Sequence, residues 1–314
     1  MKVLSFMGRE DIALVYLAEM EDGKVVEFIE SVQPPLPRDE KWVIIVSTLF
    51  GCPVGCPICD AGSFYQGKLT KQEILDQIDF LVTKRFGDKA IAVKKFKIQF
   101  ARMGEPALNM NVLAVLEELP YRYDAPGLLP CISTVAPLGT DEFFGRLIEI
   151  KKKLYRGRFQ LQFSIHSTDE KLRAKLIPVR KWDFARIAQF GNRYFQEGDR
   201  KITLNFALEK EAAIDPHMLR KHFDPDIFLI KITPLNPTYG AARNGLSSYI
   251  DPHVQGDGYK ISEQLRSCGY DVIVSIGEVE ENKIGSNCGQ YVMRHLREEG
   301  DIKDAYAYEP QGYS

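Results

Sequence analysis

The run Gly51-Cys52-Pro53-Val54-Gly55-Cys56-Pro57-Ile58-Cys59-Asp60 follows directly on the apolar segment Trp42-Val-Ile-Ile-Val46. Its glycines and prolines break any helix or strand, so the segment is a loop able to wrap three sulfurs around a common centre. A zinc knuckle would add a second pair of Cys or His further on to close a tetrahedron. The remaining cysteines, Cys131, Cys268 and Cys288, are singletons and supply no such pair. A disulfide framework is not expected either. A chain of this length needs no staples, and Met1-Lys-Val-Leu-Ser-Phe-Met-Gly8 lacks the apolar core and cleavage site of a signal peptide.

Composition agrees with an ordinary soluble globular protein. Of 314 residues, 45% are hydrophobic and 27% charged, and no apolar stretch approaches the ~20 residues of a membrane span. A reducing, cytoplasmic compartment is the expectation. The formal charge of −2 supplies no general basic field for nucleic acid. The local basic groups, Lys94, Lys95 and Lys97, then Lys151, Lys152, Lys153, Arg156 and Arg158, read as solvated helix faces.

Working outward from the cysteines, residues 1–40 read as an N-terminal β-hairpin and a Pro-rich connector. Ile12–Ala18 and Lys24–Ile29 flank Glu21-Asp22-Gly23, a strong hairpin-turn signal, and Gln33-Pro-Pro-Leu-Pro-Arg38 leads on. From residue 41 strands alternate with helices. The predicted strands are Trp42–Ser47, Phe96–Phe100, Pro130–Thr134, Phe159–His166, Ile202–Leu208 and Ile227–Thr233. The amphipathic stretches are Lys71–Phe86, Asn111–Leu119, Asp141–Lys153 and Asp183–Gln196. Six such βα units predict an α/β fold with a parallel sheet and right-handed crossovers. Active residues then belong at the carboxyl ends of the strands.

The C-x3-C-x2-C spacing resembles that of the radical S-adenosylmethionine (SAM) superfamily. That resemblance implies a [4Fe-4S] cluster held by Cys52, Cys56 and Cys59, with SAM on the fourth iron. Thiolates are the common ligands of such clusters, and an open position is what makes a metal site catalytic. Further segments resemble the RlmN/Cfr family of radical-SAM methyltransferases, which modify an adenine of ribosomal RNA. Met103-Gly104-Glu105-Pro106-Ala-Leu-Asn109 is similar to the family's G-E-P-L-x-N run, which implies that Gly104 and Glu105 hold the SAM amino group. On its own, Glu105 reads as a charge at a helix N-terminus. Cys131-Ile-Ser133-Thr134 resembles L-S-T, implying a SAM contact from Ser133. Phe163-Ser164-Ile165-His166, with Asp169-Glu-Lys-Leu-Arg173 and Ile177-Pro178 following, resembles the run that binds the nucleoside of SAM. Ile232-Thr-Pro-Leu-Asn236-Pro237 resembles I-P-x-N-P, implying a SAM contact from Asn236. Gly285-Ser-Asn-Cys288-Gly289-Gln290 resembles the A-C-G-Q run whose cysteine carries a methyl group, which would make Cys288 the catalytic thiol. Without that match, a lone late cysteine is by default a small buried apolar residue.

The resemblance extends in order from about residue 12 to residue 291 and implies a partial (β/α)6 radical-SAM barrel. The expected divisions are residues 1–40, the barrel at 41–275, and a C-terminal extension at 276–314 that carries Cys288. Three departures stand out. Ile45 occupies the place of the family's second reactive cysteine, no accessory domain precedes the hairpin, and Ile276-Gly277-Glu278 stands where the family has Arg-Gly-Asp. Arg102 replaces a glycine, and it reads either as an anion grip for a different substrate or as an exposed, unused side chain. The implied function is a radical-SAM methyltransferase using Cys288 as methyl carrier, supplied by an electron donor such as flavodoxin or ferredoxin. Its substrate is open, because the charge does not support RNA. A second reading is hydrogen abstraction on a small molecule or peptide without methyl transfer. A third, a non-catalytic iron–sulfur or zinc binding module, keeps the loop but discards the SAM contacts. Cys131, on the same strand face as Ser133, is the internal candidate for a relocated thiol, and Cys268 reads as packing.

Overall fold

Period-two alternation decides which side of each strand meets the helices. In the strand Lys95–Phe100 the residues Phe96, Ile98 and Phe100 are buried while Lys95, Lys97 and Gln99 are half-buried, and Gln160–Ser164 and Phe228–Pro234 alternate in the same way. Parallel strands covered on both faces read as continuous apolar runs. These strands therefore present one dry face and one polar face.

The structure is a computed structural model and describes residues 1–32, 35–212, 214–251, 259–276, 279–284, 289–297 and 308–313. In chain order the strands are β1 (Lys2–Arg9), β2 (Ala13–Glu19), β3 (Val25–Ser31), β4 (Lys41–Val46), β5 (Leu49–Gly51), β6 (Tyr65–Lys68) and β7 (Lys95–Phe100). They continue with β8 (Leu128–Thr134), β9 (Gln160–Ser164), β10 (Ile202–Leu208), β11 (Phe228–Pro234), β12 (Val272–Val274) and β13 (Gln311–Gly312). Among the described residues one sheet of eleven strands runs β12-β11-β10-β9-β8-β7-β4-β3-β2-β1-β13, with β5 and β6 as a separate pair. From β4 to β12 all neighbours are parallel, and from β4 to β13 all are antiparallel. The fold is thus mixed α/β around a large, mostly parallel sheet.

The predicted hairpin is present as β2 and β3, but it is not a separate appendage. β3 bonds β4 with Ile29 opposite Ile45, and β1 extends the meander outward. The short seventh parallel strand, β12, went unread because three residues give no usable pattern.

Local signals account for the helices. Thr70 and Glu73 form a capping box ahead of Lys71–Phe86, and Gly87, at φ 72°, ends that helix in the left-handed region. Asp183 caps Phe184–Tyr194 by accepting from the Arg186 N–H at 2.8 Å. Phe80, Trp42, Phe96, Phe144 and Trp182 then fill the layer between helices and sheet, with Trp42 stacked on Phe96 at 5.0 Å. Two expectations about basic groups are corrected. Lys151 is buried, and its ammonium donates to the Tyr194 carbonyl at 2.8 Å and to the Asp199 carboxylate. Lys95 and Lys97 lie on a strand, on its polar face, and not on a helix.

Candidate functional site

The cysteine loop leaves the sheet at the carboxyl end of β4 and is closed at its base by β5 pairing with β6. The Cys52 N–H donates to the Phe64 carbonyl at 2.9 Å, and the Cys59 N–H to the Cys56 carbonyl at 3.1 Å. Gly51, at φ 78°, fits only as glycine, since a Cβ there would stand 2.0 Å from the Phe64 oxygen. Cys52, Cys56 and Cys59 are half-buried and in no disulfide. Among the described residues, no three His, Cys, Asp or Glu side chains are drawn together as a single-ion site. The donor set itself suits an iron–sulfur centre: three thiols on one closed loop, Cys52 and Cys56 packed against Val54 and Ile58. Burial, and then the neighbouring Cys52 and Glu105, push the Cys56 thiol up to about 12. Metal coordination is what would deprotonate it.

Beside the loop lies a cavity of about 400 Å³ at the carboxyl ends of the parallel strands, within the range of small-molecule sites. It brings together Cys59 from the loop, Ile45 from β4, Ser133 from β8, Ser164 from β9 and Asn236 beyond β11. Four of the sequence-predicted residues thus share one enclosure with the position where the second thiol was missing.

Gly104 and Glu105 flank this region. Gly104 has φ 102°, and a Cβ there would lie 2.5 Å from the Leu49 side chain. Glu105 is buried. It accepts from the Ala107 N–H at 3.0 Å, the Val135 N–H at 2.8 Å and the Thr134 hydroxyl. It therefore caps the short turn Pro106–Leu108, close to its bland reading as a helix-terminal charge, and also ties β7's exit to the end of β8. Burial pushes its carboxyl up to about 7 against the pull of those three donors.

At the end of β9, Ile165 is fully buried and its N–H donates to the Asn205 carbonyl at 2.8 Å. His166 holds φ 64°, rare for a residue with a side chain, in a three-residue turn closed by the Ser167 N–H on the Ile165 carbonyl at 2.9 Å. Its Nδ1 accepts from the Ala207 N–H at 3.1 Å. Burial, and then Arg173, push the imidazole down to about 4, so it is neutral near pH 7. Such strain is kept where the surroundings over-determine the backbone, commonly at functional sites.

Cys288 lies outside the described residues, as do Gly277 and Glu278. Its neighbour Gly289 is placed. At φ 83° it packs so closely on the cysteine loop that a Cβ would stand 2.1 Å from the Ala61 nitrogen. Gln290 donates from Nε2 to the Pro237 carbonyl at 2.7 Å, joining the helix Gln290–Arg297 to the turn that carries Asn236.

Sequence reasoning missed the residues that hold these pieces together. Glu27 on β3 is fully buried, accepts from the Gly289 N–H and from the Val292 N–H at 2.9 Å, and pairs with the Arg102 guanidinium at 2.7 Å. Arg102 is therefore neither an exposed nor an unused side chain: it neutralises Glu27 at the wall of the cavity. Asp60 accepts from the Tyr239 and Gly240 N–H groups at 3.1 and 2.7 Å, linking the cysteine loop to the exit of β11. A charged residue inside the apolar strand Val25–Ile29, and one straight after Cys59, were the available signals.

No protein-family model matches the chain. It is 26% identical over 298 residues to a probable dual-specificity RNA methyltransferase RlmN of Thermus thermophilus, covering 91% of this chain and 76% of that one. A protein of the same description from Dictyoglomus thermophilum is 25% identical over 316 residues, covering 96% and 82%. The fold is that of a radical SAM methyltransferase from Sphaerobacter thermophilus, with a TM-score of 0.68 at 20% identity, over 92% of this chain and 80% of that one. Together with the cysteine loop at the carboxyl edge of the sheet, these likenesses define a radical SAM enzyme. In sequence the chain is similar to RlmN-type RNA methyltransferases, and in fold to a radical SAM methyltransferase. No helix among the described residues is long and apolar enough to cross a membrane.

Proposed function

We propose that Cys52, Cys56 and Cys59 hold a [4Fe-4S] cluster and that SAM occupies the adjoining cavity, for radical methyl transfer with Cys288 as the methyl carrier. The observation that carries this reading is the single enclosure shared by Cys59, Ser133, Ser164 and Asn236. When bound, the cluster and SAM supply the 5′-deoxyadenosyl radical. The chain's own part is to bind, orient and keep water out. Glu105 has acceptor capacity left beyond its three donors and, with Gly104, would hold the SAM ammonium. Ser133 and Asn236 would meet its polar groups, and Ser164, Ile165 and neutral His166 its nucleoside, with Nε2–H of His166 left as a donor. The chain from β4 to β11 reads as the partial (β/α)6 barrel of residues 41–275, with residues 1–40 and 276–314 as extensions. A reducing compartment and a flavodoxin- or ferredoxin-like donor complete the proposal. RNA, named for the Thermus relative, is one candidate substrate.

The place of Gly289 against Ala61 supports Cys288, because it seats the next residue of the chain on the cluster loop. Ile45 in the cavity wall favours the rival, hydrogen abstraction without methyl transfer, since no thiol stands there to release a methyl-cysteine adduct. Anaerobic reconstitution with SAM, followed by mass spectrometry of the Cys288 peptide, separates the two: a methyl mark is expected, and its absence in a protein that cleaves SAM would leave hydrogen abstraction. Cys131 is 1% exposed on β8, on the strand face that carries Ser133. Cys288→Ala is expected to abolish substrate-coupled turnover and Cys131→Ala to leave it. Loss in both would assign Cys131 the resolving role.

Glu105→Gln removes charge while keeping size. SAM binding is expected to weaken about 10- to 100-fold, the range for a hydrogen bond to a charged group, with iron content unchanged. An unaltered SAM dissociation constant would leave Glu105 as a cap for the Pro106–Leu108 turn alone.

A further inference from the structure

The cysteine loop has two flanks. On one, Ile58 and Cys59 line the cavity together with the strand ends. Cys56 is not among the lining residues. With Val54 it packs instead against Leu172, Leu176, Ile177 and Val179, which belong to the helix Glu170–Leu176 and the segment leaving it. On this outer flank Pro53, Gly55 and Pro178 are exposed, and a Cβ added to Gly55 would stand 3.9 Å from the Pro178 Cγ. The helix and its exit are therefore the surface beside the sulfur-bearing loop where that loop meets solvent.

That surface is basic. The stretch Asp169–Lys181 carries Lys171, Arg173, Lys175, Arg180 and Lys181 against Asp169 and Glu170. Arg173 is buried, its Nη1 donating to the Trp182 carbonyl at 3.0 Å, and the Lys181 ammonium donates to the Ile177 carbonyl at 2.7 Å. Lys171, Lys175 and Arg180 are exposed, and none of the three is held in an ion pair or a side-chain hydrogen bond. Lys171 and Lys175, four positions apart, share one helix face. Both carboxylates lie at the helix start, where Asp169 accepts from the Leu172 N–H at 2.7 Å. A charge run is by default a solvated face. This one differs in its contact with the cysteine loop and in having no carboxylate bound to its exposed cations.

We propose that this flank docks an acidic electron-carrier protein, a flavin or iron–sulfur protein that delivers one electron to the cluster. Charge complementarity sets the sign of the occupant, and place sets its kind. None of residues 169–181 lines the cavity, so a partner seated here meets the outer edge of the cysteine loop and not the space where a substrate reacts. Exposed Pro53, Gly55 and Pro178 offer a small uncharged centre, with Lys171, Lys175 and Arg180 as its rim. Such a layout suits a weak, transient electron-transfer contact, whose rim charges act mainly on the rate of encounter. In the transfer the carrier gives up one electron and the cluster accepts it; no bond forms and no proton is needed. The acidic partner is argued from the surface alone, and its use as a reductant rests on the cluster of the proposed function.

The first test maps the contact. Anaerobically reconstituted protein is mixed with a purified flavodoxin or ferredoxin and treated with a zero-length carbodiimide, which joins lysine amines to carboxylates they touch. Crosslinks from Lys171 and Lys175 are expected, and none from Lys152 and Lys153, which are exposed ahead of β9 at the opposite end of the sheet. The second test measures rate. The triple variant Lys171→Glu, Lys175→Glu, Arg180→Glu should slow cluster reduction by the reduced carrier about tenfold or more at low ionic strength, within the range of electrostatic steering. The gap should close as sodium chloride is raised. Photoreduced deazariboflavin, a small neutral reductant, should reduce variant and parent equally. Crosslinks confined to other lysines, no crosslink to either carrier, or a triple variant reduced as fast as the parent would each overturn the proposal. Should a short RNA oligonucleotide, and neither carrier, shield Lys171 and Lys175 from acetylation, the surface belongs to nucleic acid and the proposal fails. A chain that takes up no cluster, or that deazariboflavin reduces without SAM cleavage, counts against the proposed function, while the crosslinks still decide the docking surface.

Discussion

Replacing Glu27 by alanine is expected to lower the unfolding free energy by about 3–5 kcal/mol, the range for removing one partner of a buried ion pair. Neither side chain reaches solvent, at 0% and 1% exposure, so screening does not reduce the effect. The loss has two parts. Arg102 would keep a charge in the interior without its carboxylate, and the N–H groups of Gly289 and Val292 would lose their acceptor at the start of the helix Gln290–Arg297. Urea denaturation measures the sum, and limited proteolysis of residues 289–297 reports the second part. The double variant Glu27→Gln with Arg102→Met should recover much of the stability, since exchanging both partners of a buried pair for neutral groups is often close to neutral. A single-variant loss below ~1 kcal/mol would show that other groups satisfy Arg102 and that the pair does not hold the C-terminal helix.

The larger effect on chemistry is expected from the cysteine loop. Anaerobically prepared protein should contain about four irons and four sulfides per chain, the stoichiometry of one [4Fe-4S] centre. Replacing Cys52, Cys56 and Cys59 together by alanine should remove the brown chromophore and all SAM cleavage. Far-ultraviolet circular dichroism should remain, because the loop is closed by the β5–β6 pairing and not by its sulfurs. A triple variant that still binds iron and cleaves SAM would defeat the assignment.

What could be read from the sequence was what is local. Alternation of strands and amphipathic stretches follows from nearest-neighbour spacing, and Lys71–Phe86 begins and ends at its sequence signals, Thr70 and Gly87. The cysteine loop is local too. The pieces that were misjudged or missed depend on residues far apart in the chain. Arg102 cannot be assigned without Glu27, 75 positions earlier, and Glu27 looks like any strand charge until the helix Gln290–Arg297 lies over it. Lys95 and Lys97 looked like a solvated helix face because their place on the polar face of β7 depends on strand pairing with β4 and β8. Glu105 was weighed as either a SAM ligand or a helix-terminal charge, and the fold gives it a capping bond to Ala107 together with a bridge to Thr134 and Val135 that neither reading contained.

The clasp between Glu27 and Gly289 also sets an order of events during synthesis. Its partners are 262 positions apart, and Ser5 meets Tyr291 across 286. At roughly 5–20 residues per second, a ribosome needs some tens of seconds to make the stretch between them. For most of that interval the cysteine loop, only 25–32 positions after Glu27, has been made while the segment that packs on Ala61 has not. The nascent chain therefore passes through a stage in which its loop thiols are open on the side that residues 289–297 later cover. Released chains truncated before residue 289 or after residue 297 should differ in how readily Cys59 reacts with a thiol reagent, with the shorter chain the more reactive.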